Sequence, residues 1–166
     1  MAKLHPFIII SVCYLCDLIS YLDVMNSQSQ IITVEVTIEK PISVVWETWA
    51  NPIDIMQWNI PFNDWHCPKV VNDLKSGGRF IFRMEAKDGS DGFDHSGIYD
   101  TVTQHQLIAY TGDDGRKSEI NFIAHGDTTT VSETFEPEIM NPIDMQRDFC
   151  QAVLHKFKKY TESKIA

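Results

Sequence analysis

Residues 32–39, "ITVEVTIE", alternate apolar and polar side chains: Ile32, Val34, Val36 and Ile38 against Thr33, Glu35, Thr37 and Glu39. A period of two predicts a strand with one buried and one wet face. The pattern breaks at Pro41, a residue suited to the first turn of a helix. Val44, Val45, Thr48 and Trp49 then fall at helical spacing up to Asn51. Pro52 restarts the helix, so two short helices joined by a bend are predicted. Val45 and Trp49 are expected to face a sheet and serve stability. Trp58, beyond the bend, is expected at the mouth of a cavity.

"NIPFNDWHCP" reads as an irregular aromatic connection and "KVVNDL" as a short strand before a turn at Gly77 and Gly78. Phe80, Phe82 and Met84 then alternate with Ile81, Arg83 and Glu85. After the turn signal "KDGSDG" comes "FDHSGIYDTVT", with Gly97 as a bulge or a point of close approach. "LIAYT", "KSEINFIAH" and "TTTVSETFE" follow at short intervals, which predicts an antiparallel meander. Past Pro137 the period changes: Met145, Phe149, Ala152, Val153, Phe157 and Tyr160 lie on one helical face. One long helix from Pro142 to about Ser163 is predicted, with Asn141 as cap and Pro142 in the first position. At 1.5 Å per residue it is about 30 Å long, enough to cross a twisted sheet of about six or seven strands. The fold class is therefore α+β: a curved antiparallel sheet of six or seven strands wrapped on a long C-terminal helix, with two short helices after the first strand.

The chain has 166 residues, 43% hydrophobic and 22% charged, an ordinary globular composition with one domain as the simplest count. A net charge of −9 argues against nucleic acid as a partner, since phosphate contacts need a basic face. Lys156, Lys158, Lys159 and Lys164 cluster near the end of the predicted long helix, where cations complement the helix dipole. Cys13, Cys16, Cys67 and Cys150 are too few and scattered for a disulfide framework, and a reducing cytoplasm fits them. Cys13-x-x-Cys16 lacks the second ligand pair of a zinc site and the strand–helix context of a redox site.

Residues 1–25 form an apolar leader with three readings: a translated extension upstream of a start at Met25, a signal-like segment, or an added helix. Its uninterrupted apolar run, Phe7 to Cys16, has signal-peptide length rather than spanning length. Residues 26–166 are the predicted domain. No membrane contact is expected of that domain itself; a genuine targeting segment would instead make the protein exported or membrane-attached.

The order strand, two helices, six strands, long helix is that of the helix-grip fold, and the wording resembles the START-like or Bet v 1-like (SRPBCC) superfamily. Within it the chain is similar to bacterial proteins like the C-terminal domain of the Hsp90 ATPase activator. The carrying stretches are "PISVVWETWANPIDIMQW", "SGGRFIFRM", "SGIYDTV" with "LIAYT", "VSETFEPE" and "NPIDMQRDFCQAVLHKFKKY". Relatives commonly show Gly-Trp where this chain has Phe149 and Cys150. A smaller surface there leaves room in a pocket or repacks.

The resemblance implies a cavity between the concave sheet face and the long helix. By alternation, Phe80, Phe82, Phe93, Tyr99, Phe122, Phe149 and Val153 would surround it, with Trp58, Phe62 and Trp65 at the mouth. Taken singly, each is read first as packed core; as a set they suggest an aromatic cleft. His95 shares a face with Phe93 and Tyr99, placed to bond a ligand or to act as acid or base near neutral pH. His66, Cys67 and His95 have no metal-ligand spacing, and Asp94, Asp100 and Glu133 form no obvious carboxylate pair. The expected function is binding of a small apolar or aromatic molecule, with no cofactor, no metal and no catalytic residue assigned. The alternatives are a cyclase- or hydrolase-type enzyme using the same cavity through His95 or Tyr99, and a chaperone-associated interaction protein. Homodimerisation is left open.

A chain starting at Met25 is expected to melt cooperatively within about 10 °C of the full chain. A larger drop in a thermal scan would mean that the leader packs as core.

Overall fold

The computed structural model describes residues 31–60 and 62–164. The leader, with Cys13 and Cys16, lies outside the described residues. The elements are β1 (Ile32–Ile38), α1 (Ile42–Ala50), α2 (Pro52–Trp58), β2 (Trp65–Asn72), β3 (Arg79–Ala86), β4 (Gly92–Thr103), β5 (Leu107–Gly112), β6 (Lys117–His125), β7 (Thr128–Phe135) and α3 (Ile143–Ser163).

All seven strands form one antiparallel sheet in the order β1-β7-β6-β5-β4-β3-β2, a meander from β2 to β7 with β1 returning to the far edge. Alternation sets the inner face. Ile32, Val34, Val36 and Ile38 are buried on β1, while Thr33 and Thr37 meet Thr134 and Thr130 across the strand pair on the wet face, at 3.2 and 3.1 Å. Such cross-strand pairs hold register where the opposite face packs.

β2 begins four residues before the strand predicted at Lys69. Its pairing with β3 is irregular between His66 and Lys69, the stretch that contains Pro68. Proline cannot donate to a ladder, and an edge strand tolerates it. Gly97 is a point of close approach: a Cβ there would lie 2.4 Å from the Thr111 carbonyl oxygen and 3.0 Å from the Phe80 ring. The bulge lies further on, between Tyr99 and Thr101.

At the bend Asn51 closes α1 and caps α2, its side chain accepting from the Ile53 amide at 2.9 Å with Pro52 in the first turn. The predicted division of the indoles is corrected here. Val45 is fully buried, but Trp46 joins it and Trp49 is only partly buried. Trp58 is 3% exposed, not at a mouth. The turn at Asn51–Pro52 swings α2 back across α1, so the Trp58 ring meets Trp49 at 4.9 Å and Phe157 of α3 at 4.8 Å. Its indole N–H donates to the Thr48 carbonyl at 3.3 Å.

A second tie joins α2 to the end of α3. Asp54, 6% exposed, accepts from the Tyr160 hydroxyl at 2.7 Å and the Lys164 ammonium at 2.6 Å. A buried carboxylate persists only with such partners. The start of α3 differs from expectation, since Pro142 occupies the cap position without a side-chain bond. Glu138 takes over: it accepts from the Asn141 amide at 2.8 Å and side chain at 2.6 Å, while Gln146 donates to the Glu138 and Asn141 carbonyls at 3.0 and 2.7 Å. The fully packed residues of α3, Leu154, Phe157 and Thr161, all belong to its second half.

Trp58→Ala is therefore expected to cost about 3–5 kcal/mol, as for other buried large aromatics. Urea denaturation measures it; a loss below about 1 kcal/mol would show that the ring is dispensable to the core.

Candidate functional site

Strand register assembles the site. Across the inner face Phe82 stands opposite His95, Gly97 opposite Gly112, Tyr99 opposite Tyr110, Tyr110 opposite Ser118, and Ile120 opposite Glu133. The facing glycines put no side chain at the centre of the concave surface. The first half of α3 crosses above, presenting Met145, Phe149, Cys150 and Val153 at helical spacing. Between them lies a cavity of about 670 Å³, whose further walls include Phe93, His95, Tyr110, Arg116 and Glu133. A smaller cavity of about 70 Å³ is walled by Trp49, Trp58, Phe80, Phe82, Tyr99 and Ile108. Asn59, His95, Tyr110, Glu133 and Val153 line both.

Of the residues predicted for the site, Phe93, His95, Phe149 and Val153 line the larger cavity, and Trp58, Phe80, Phe82 and Tyr99 the smaller. Three do not line either. Phe122 is core beneath Trp46 and Trp49, at 5.1 and 5.6 Å between ring centres. Phe62 packs edge-on against Phe149 and Trp65 lies tilted against Phe93, two aromatic pairs whose second members line the larger cavity. Sequence reasoning passed over Tyr110 and Cys150 and gave Glu133 no role. The signal for Glu133 was present: Val131, Glu133 and Phe135 alternate in "VSETF", so a carboxylate occupies an inward position.

The polar groups are deep and differ in what they can do. His95 Nε2 and the Tyr110 hydroxyl lie 3.3 Å apart. Burial, reinforced by the Arg116 charge, pushes the His95 pKa down to about 4, so the ring is neutral at physiological pH. This corrects the expectation of an acid/base His95 near neutrality. Burial also holds the Tyr99 and Tyr110 hydroxyls and the Cys150 thiol above their ordinary ranges. The group that titrates near neutrality is Glu133, pushed up to about 7 by burial, with the neighbouring Tyr110 hydroxyl offsetting part of the rise. Glu133 lies deep yet keeps some accessible surface, because that surface borders the cavities.

Tyr110 also ties the site together. Its hydroxyl has a single proton; given to His95, it is not available to Glu133. On the neighbouring strand the Tyr99 hydroxyl donates to Asn72 at 2.6 Å, and Asn72 donates to the Ala50 carbonyl at 2.7 Å, locking β4 to the end of α1. Among the described residues there is no cluster of metal-ligating side chains. His66 pairs instead with Glu85 at 3.1 Å and Cys67 is buried.

The two shifted groups act on stability in opposite senses. Between Glu133's ordinary 4.5 and about 7 the folded protein holds a proton that the unfolded chain releases, so stability falls as pH rises. Between about 4 and its ordinary 6.5, His95 is protonated only in the unfolded chain, so stability rises with pH. Glu133→Gln is accordingly expected to exceed wild type in stability at pH 8, with the advantage shrinking towards pH 5. Urea melts at the two pH values check this, and a pH-independent difference would mean that Glu133 does not titrate in that window.

Residues 39–162 match the family model of the activator of Hsp90 ATPase homolog 1-like proteins. The solution structure of the AHSA1-like protein from Aeromonas hydrophila is 37% identical, with a TM-score of 0.76 over 81% of this chain and 93% of that one. A Cytophaga hutchinsonii protein, also solved in solution, is 50% identical, with a TM-score of 0.70 over 79% and 91% of the two chains. A crystal structure from Nitrosomonas europaea shares the fold at 15% identity, with a TM-score of 0.67 over 78% and 92%. Comparison with curated proteins gives no significant match. On the family match and these two closer likenesses, the chain belongs to the family of activator of Hsp90 ATPase homolog 1-like proteins, within the START-like (SRPBCC) superfamily.

Proposed function

We propose that this protein holds a small apolar or aromatic molecule in the cavity between the sheet and α3. The observation that carries the reading is the cavity of about 670 Å³ where the first half of α3 would otherwise pack on the sheet. That volume lies inside the usual range for ligand sites, about 300–1,000 Å³, and the mixture of aromatic walls with a few inward polar groups is typical of them. Exposed apolar side chains accompany it: Met145 and Phe93 line it, Phe62 packs on Phe149, and Ile139 and Met140 stand 76% and 84% exposed between the lining residues Glu138 and Asn141. Such a rim suits entry of an apolar molecule. No helix among the described residues is long and apolar enough to cross a membrane.

An enzyme using the same cavity is the second reading, favoured by the convergence of His95, Tyr110 and Glu133. The acid/base of such an enzyme would be Glu133, since His95 stays neutral. Association with a chaperone rests on the family's name alone.

The uncharged dye Nile red is expected to bind the native protein at one site with enhanced emission. Cys150→Trp, which fills the cavity from α3, is expected to weaken binding at least tenfold while the melting temperature is kept. Equal binding by the variant, or none by the wild type, would remove the cavity as the ligand site. Native mass spectrometry of protein purified from its own host would reveal a retained natural ligand.

A further inference from the structure

Six carboxylates line the larger cavity: Asp94, Asp113, Asp114, Glu133, Glu136 and Glu138. Five are engaged by the protein. Asp94 meets Arg83 at 3.5 Å, Asp113 meets Arg79 at 2.5 Å and Ser96 at 2.6 Å, and Asp114 meets Arg116 at 2.8 Å. Glu136 accepts from the Lys117 amide at 2.9 Å, and Glu138 holds the loop before α3. Of these six, Glu133 alone has no ion-pair partner and accepts no hydrogen bond of ordinary geometry among the described residues. A carboxylate so enclosed is costly without donors, and the neighbouring Tyr110 hydroxyl has a single proton, for which His95 competes.

The charge of the missing partner follows from what surrounds Glu133. Arg116, the one cationic side chain of the lining since His95 is neutral, is occupied by Asp114 and by the Glu136 carbonyl at 3.3 Å. An anionic ligand would add to an already acidic wall. A neutral apolar ligand would strip the remaining water from Glu133 and force it to take up a proton. A cation supplies what the site lacks. Beside Glu133 the cavity of about 70 Å³ has room for a small alkylammonium head, and Trp49, Trp58, Phe80, Phe82, Tyr99 and Tyr110 surround it with aromatic rings that attract a cation.

Resting on the reading of the cavity as a small-molecule site, we infer that it selects an organic ammonium with an apolar body, the head at Glu133 among the aromatic rings and the body towards Phe149 and Phe93. The groups that face Glu133 from neighbouring elements keep their charge between pH 5.5 and 8. His95 stays neutral, Tyr110 and Cys150 stay protonated, and Asp114 stays ionised beside Arg116. Over that interval Glu133 is the group that ionises, so cation affinity rises with pH, by up to about tenfold per unit below pH 7.

Three probes that share one ring test this by calorimetry on the full chain: tryptamine, a cation; 3-propylindole, its neutral counterpart; and indole-3-propionate, an anion. At pH 8 tryptamine is expected to bind at least tenfold more tightly than 3-propylindole, with indole-3-propionate weakest. The preference should shrink severalfold or more at pH 5.5 and vanish in Glu133→Gln, as tryptamine loses its partner and 3-propylindole no longer has to drive a proton onto Glu133. A neutral probe that binds as tightly as the cation at pH 8, or a cation preference that survives Glu133→Gln, overturns the inference and leaves the cavity reading standing. If none of the three binds and Nile red also fails, the cavity reading falls and the inference with it. The comparison of probes and pH values in the wild type decides the matter even if the variant folds poorly.

Discussion

Three aromatic rings, Trp49, Trp58 and Phe157, meet at centroid distances of 4.8 to 4.9 Å and hold the two short helices to the long one. Rings of this size bury on the order of 150–250 Å² each and add edge-to-face attraction. Their position matters as much as their energy. They grip α3 at its second half, where Leu154 and Thr161 are also buried and where Asp54 holds Tyr160 and Lys164. The first half is thereby left to span the concave sheet without filling it, and the cavity is the consequence.

The sheet contributes to the same result by subtraction. Gly97 and Gly112 face each other across β4 and β5, and the close approach of Thr111 and Phe80 admits no Cβ at Gly97. Phe80 uses that space, packing at 5.0 Å from Tyr99 and 4.9 Å from Tyr110 between ring centres. The floor is thus rigid and aromatic. Cys150, where the sequence resemblance implies a larger tryptophan, lies in the opposite wall, so the size of this side chain bears on the room available to a ligand.

Glu133 runs against the trend of the core, for a carboxylate on an inward strand position lowers stability unless something pairs with it. Its neighbours on β7, Val131 and Phe135, show what the position would hold if packing alone decided. Asp54 is the instructive contrast: also inward and carboxylate, it is answered within the chain by a hydroxyl and an ammonium. One buried acid serves the architecture, while the other faces a void.

Much of this was legible from the chain alone. The alternation of β1, the meander from Phe80 to Phe135 and the long face of α3 follow from backbone periods of two and 3.6, which are local properties written into consecutive residues. Among the residues expected around the cavity, Phe80, Phe82, Phe93, His95 and Tyr99 line it or its smaller neighbour because alternation decides which face of a strand a side chain takes, and Phe149 and Val153 line it through the helical period. Tertiary structure decided the rest. Whether Trp58 points to solvent or to Phe157 depends on the angle of the bend at Asn51–Pro52 and on a helix ninety-odd residues away, neither of which has a local period. That Glu133 faces inward could be read from "VSETF", but that it lacks a donor could not, because its possible partners arrive from β4, β5 and α3. A side chain's face is set by its own strand; its partners and its charge are set by which other elements the folded chain brings against it.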